Sequence, residues 1–138
     1  MKAALDYAPD LPNPTPEDRY DVVDFSVDSD GFRGRLEGWR PAAPRPWTQN
    51  QVHMWTGGDM LPLSSPNDPV FFLHHCNVDR TCESWLRRYG RIYTPDMTAP
   101  ATYTGERIGD TLALPASYPL TPGNMLDQSS WCTYDQLP

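Results

Sequence analysis

Ser65-Pro66-Asn67-Asp68-Pro69-Val70-Phe71-Phe72-Leu73-His74-His75-Cys76-Asn77-Val78-Asp79-Arg80 is the stretch on which the reading of this chain turns. Asp68 offers a side-chain oxygen to the free N–H groups of a helix start. Pro69 brings the fixed φ and missing donor that suit the first helical position. From there Phe71, His75, Val78, Cys82 and Trp85 recur on one helical face, which predicts a helix over 69–88. Arg87 and Arg88 fall where cations suit the helix dipole, and Gly90 ends the run. His75 lies in the middle of the apolar stripe, with His74 beside it.

The third and last histidine is upstream, in Gln49-Asn50-Gln51-Val52-His53-Met54-Trp55-Thr56-Gly57-Gly58. Thr48 is a candidate N-cap and Gly57-Gly58 a stop, so residues 48–56 read as a second helix. Gln49 and His53 are then i and i+4 on one face. Three imidazoles on two short segments suggest a transition-metal site, because copper favours imidazole nitrogen. Spacing alone leaves the commoner role open: a core histidine bonded to a carbonyl.

The rest of the chain sets bounds. At 138 residues it is one domain at most, and its 16 prolines crowd both ends. Proline removes a backbone donor, so residues 1–19 are expected to be a Pro-rich arm and residues 91–138 loop-rich. Residues 20–27 alternate weakly, as a short strand or extended approach. Residues 30–39 read as a short helix or turn with Phe32, Leu36 and Trp39 on one side, made marginal by three glycines. The net charge of −7 with no basic patch argues against nucleic acid. The three cysteines, Cys76, Cys82 and Cys132, have neither CxxC spacing nor an even count, so they read as incidental or buried thiols. No run reaches membrane-spanning length. Met1-Lys2-Ala3-Ala4-Leu5-Asp6 lacks the apolar core of a secretory signal, which makes a cytoplasmic location the default expectation.

Residues 65–85 closely resemble the copper-B motif of tyrosinases, catechol oxidases and related polyphenol oxidases. The likeness is carried by Asn67-Asp68-Pro69, the apolar run, His74-His75 and Asp79. Val52-His53-Met54-Trp55-Thr56-Gly57-Gly58 is similar to the earlier copper-B helix. Gly31-Phe32-Arg33-Gly34-Arg35-Leu36-Glu37-Gly38-Trp39 looks like the segment before it in bacterial tyrosinases. Met125-Leu126-Asp127 and Thr133-Tyr134-Asp135 resemble the close of the catalytic domain. The resemblance implies a mainly α fold: the copper-B helix pair, half of a four-helix bundle, with long Pro-rich irregular segments. It would occupy residues 20–138. It also implies copper ligation by His53 and His75, with His74 behind them, Asn50 orienting a water near the metal, Met54 near the pocket mouth and Asp79 anchoring the helix.

Two departures bear on function. Where the family has its first copper-B histidine this chain has Gln49, a weaker amide donor that would be the third ligand. The copper-A half is not among these residues, since no histidine precedes His53, and the family's dioxygen chemistry needs two coppers with three histidines each. Cys82, where the family usually has an aromatic, exchanges a large apolar group for a small one. The leading expectation is a tyrosinase-like oxidoreductase portion acting on phenols or catechols with dioxygen, inactive by itself and needing a copper-A partner. The alternatives are a non-catalytic interaction module that kept the fold and lost the metal, and, ranked last, a mononuclear metal protein. The apolar face from Phe71 to Trp85 is expected to be exposed, for a copper-A chain or a second copy of this chain to cover.

Overall fold

The computed structural model describes residues 23, 29–38, 48–113 and 119–138. The Pro-rich arm at 1–19, nearly all of the segment at 20–27, and Trp39 lie outside the described residues. Among the described residues all regular structure is helical. Four α-helices have their bounds among the described residues: α1 (Ser29–Glu37), α2 (Thr48–Thr56), α3 (Pro69–Tyr89) and the single turn α4 (Pro122–Met125). The chain divides into two compact units, Met1–Trp85 with Leu137–Pro138, and Leu86–Gln136.

The first unit carries α1, α2 and nearly all of α3. α1 forms despite its glycines because its apolar side is buried: Phe32 and Leu36 are inaccessible to water. An Arg33–Glu37 pair at 3.1 Å supports its exposed side at i,i+4 spacing. α1 packs on α2, where the Thr48 hydroxyl donates to the Leu36 carbonyl at 2.8 Å. Phe32 also reaches α3, its ring stacked on Trp85 with centroids 4.7 Å apart and planes 11° from parallel.

α3 begins as its sequence predicts. The Asp68 carboxylate accepts from the Val70 N–H at 2.9 Å, and the Asp68 carbonyl accepts from the Phe71 N–H at 3.0 Å. The helix runs one residue beyond the expected 69–88 and stops at Gly90, whose φ of 104° suits a residue without Cβ. The expected exposed stripe is largely covered instead. Trp85 is 1% exposed under Phe32, and Phe71 and Cys82 are half-buried. The large apolar side chains that α3 leaves to water are Val70 (38% exposed), Phe72 (62%) and Leu73 (75%), off that stripe in its first turns. At the other end of the unit, the Ser84 hydroxyl donates to the Pro138 carbonyl at 2.7 Å.

The second unit is held by local polar contacts. The Asp110 carboxylate accepts from the Gly105 and Arg107 N–H groups and from the Arg107 guanidinium, at 2.7–3.1 Å. Thr121 and Asn124 cap α4 reciprocally. Of the three cysteines expected to be buried or incidental, Cys76 and Cys132 are exposed and Cys82 is half-buried, and none is in a disulfide.

Candidate metal centre

His53 stands in α2, three residues before the helix ends. Gly57 and Gly58, at φ 64° and 53°, turn the chain back in a conformation that costs glycine little. The 3-10 turn at Gly58–Met60 then delivers the Met60 carbonyl to 2.6 Å from His53 Nδ1. The Nδ1–H donates there, and Met60 is fully buried. The other ring nitrogen, Nε2, is buried with no hydrogen-bond partner. A buried polar atom left so costs roughly 1–3 kcal/mol, so packing alone does not account for a histidine here.

His75 is held in the same way. Its Nδ1–H donates to the Phe71 carbonyl, one turn back, at 2.9 Å, and the Phe71 ring stacks on it at 3.8 Å. The carbonyl partner fixes the tautomer with the lone pair on Nε2, the form in which imidazoles ligate metals. The rings of His53 and His75 are 5.3 Å apart between centroids, with planes at 68°. A centroid lies roughly 3.2 Å from an ion bound at about 2.0 Å, so two rings sharing one ion stand no more than about 6.4 Å apart.

His74 has the opposite arrangement. It is 8% exposed, and its Nε2–H donates to the Gln49 carbonyl of α2 at 3.1 Å. Its ring lies 5.3 Å from His53 and 5.1 Å from His75. Burial lowers its pKa to about 4, helped by the neighbouring charges of His75 and His53 and opposed by the Gln49 carbonyl. It is therefore neutral near pH 7.

Gln49, Asn50, His53 and Met54 of α2 line one cavity of about 670 Å³, with Leu61 and Phe71 among the residues on its other sides. Apart from His53, none of its described lining residues is ionisable. The residues singled out from sequence, His53, His74, His75, Gln49, Asn50 and Met54, thus come together. Asp79 does not; it is exposed farther along α3. Among the described residues no group of three or more His, Cys, Asp or Glu is arranged to hold a metal. The donors present fit copper in part: two imidazole Nε2 atoms, one of them orphaned in the interior, and the weaker amide of Gln49.

Sequence reasoning missed Met60 and the carbonyl of Phe71, the two acceptors that orient the rings. The Gly57-Gly58 pair was a usable signal for the first, because a positive-φ turn sends the chain back along the helix it ends. The second needed only i−4 counting from His75.

A family model described as the common central domain of tyrosinase matches residues 4–88. Tyrosinases of Streptomyces lincolnensis and Streptomyces glaucescens are 37% and 38% identical to this chain, each over 84% of it and over 40% and 39% of their own length. Grixazone synthase of Streptomyces griseus is 34% identical over 93% of the chain and 46% of its own length. The chain spans less than half the length of these relatives.

Proposed function

The chain belongs to the tyrosinase family, and we propose that it supplies the copper-B side of a type 3 copper oxidoreductase acting on phenols or catechols with dioxygen. The observation that carries this reading is the orphaned Nε2 of His53. It is buried, it carries the lone pair because Met60 takes Nδ1–H, and it stands beside a second imidazole in the same tautomer.

His53 and His75 would hold the copper, with Gln49 as the third and weaker donor. When bound, the copper pair would supply the dioxygen-dependent oxidation of a phenol to a catechol and of a catechol to an o-quinone. The chain's own residues bind and orient. The uncharged cavity suits a neutral aromatic ring, which Phe71, Leu61 and Met54 can pack against at no cost in buried charge. Asn50, one residue from Gln49 in the same wall, offers an amide to a water or a phenol hydroxyl near His53. Histidines for the second copper would come from outside these 138 residues, on a segment or partner chain that reaches the cavity beside His53.

A second reading is supported by Gln49 and by the absence of a three-ligand group among the described residues: a non-catalytic interaction module that kept the helices. Copper titration of the metal-free chain separates the two. Binding of one copper ion, lost in His53→Ala and in His75→Ala while the helices persist by circular dichroism, supports the copper-B reading. Absence of binding at millimolar copper overturns it.

A further inference from the structure

We propose that His74 is a positioning residue: its hydrogen bond to the Gln49 carbonyl fixes the spacing of α2 and α3 and so holds the His53 and His75 rings on one locus, a role that rests on the copper-B reading of the site. The bond joins the two helices directly, from a side chain that is almost wholly buried. Its ends are placed to transmit position. Gln49 is one turn before His53 on α2, and His74 immediately precedes His75 on α3. The His74 ring lies edge-on to both donors, with planes at 78° to His53 and 71° to His75.

The chemistry of His74 also separates it from the two donors. Committing Nε2–H to a carbonyl puts its lone pair on Nδ1, the reverse of His53 and His75. It is thus a donor across the helix pair, not a third imidazole presenting Nε2. The acceptor is backbone, so the tie does not depend on which side chain stands at position 49. A side chain at 49 can therefore change the metal's third donor without loosening the helix pair.

The test compares His74→Gln, whose amide N–H reaches about as far as Nε2–H, with His74→Leu, which fills similar space and donates nothing. In the metal-free 138-residue chain, a nuclear Overhauser effect between the His53 and His75 ring protons reports their spacing without requiring copper. The effect is expected in the wild type and in His74→Gln, and lost in His74→Leu with helicity retained. Copper affinity should stay within about threefold in the Gln variant and fall at least tenfold in the Leu variant. Rescue by Gln but not Leu is what a packing role would not produce. The proposal is overturned if the Leu variant keeps both the effect and the affinity, or if the Gln variant loses the effect or fails to fold. If the Leu variant unfolds, the Gln comparison decides alone. A wild type that shows the inter-ring effect yet binds no copper defeats the copper-B reading and leaves the strut standing.

Discussion

The imidazoles of His53 and His75 stand 5.3 Å apart on two different helices, and each gives its Nδ1–H to a backbone carbonyl, Met60 for one and Phe71 for the other. Two rings held in the same tautomer at that spacing lack one comparable neighbour. Position 49, one turn from His53 and in the same cavity wall, is where it would sit.

Gln49→His is therefore expected to raise copper affinity by an order of magnitude or more, because it replaces a neutral oxygen donor with the imidazole that copper prefers. Copper should then also raise the melting temperature, since a ligand held only by the folded state adds RT ln(1 + [L]/Kd). Titration calorimetry and thermal scans check both. Unchanged affinity and melting would mean that Gln49 does not face the donors.

Acidification should weaken the copper-free fold through His74. Its folded pKa of about 4 lies below the ordinary 6.5, so between these values the unfolded chain binds the extra proton. Stability is then full above about pH 6.5, declines as pH falls and levels off below about pH 4. The loss is on the order of a few kcal/mol at one pKa unit per 1.36 kcal/mol. Urea denaturation from pH 7 to 4 should show this slope reduced in His74→Gln. The same slope in both chains would assign it elsewhere.

Trp85→Ala should be the most damaging single change in the helical unit. Trp85 is stacked on Phe32 and 1% exposed. Removing a buried aromatic costs about 3–5 kcal/mol, against a total of about 5–15 kcal/mol for a typical domain. Loss of less than about 1 kcal/mol in denaturant unfolding would show that the stack does not hold α1 on α3.

The exposed pair on α3 should matter to assembly and not to folding. Phe72→Asp with Leu73→Asp is expected to leave stability within about 1 kcal/mol, as surface substitutions usually do. It should abolish any gain in catechol-dependent oxygen uptake when copper-A donors are supplied from a separate chain. The 138-residue chain with copper alone is expected to give no appreciable uptake. Turnover by a chain verified as monomeric in sedimentation would count against the need for a partner.

The helices were legible because their signals are local. Asp68-Pro69 marks the start of α3, Gly57-Gly58 the end of α2, and the recurrence of Phe71, His75, Val78, Cys82 and Trp85 defines one face. The grouping of His53, His74 and His75 with Gln49 and Asn50 was legible through the motif and the i,i+4 register. The fate of the apolar stripe was not, since periodicity says which residues share a face and not what covers it. Phe32 covers Trp85 from 53 positions away, and the large apolar side chains left to water are off that stripe, at Val70, Phe72 and Leu73. The roles of the imidazoles were also decided only in three dimensions. A histidine's two nitrogens are equivalent in a sequence. They become different only when a carbonyl from another turn or another helix takes the proton of one: Met60 for His53, Gln49 for His74. That choice depends on how the chain turns back after Gly58 and how α2 lies on α3, which are outcomes of packing between distant segments and not of any one segment's propensity.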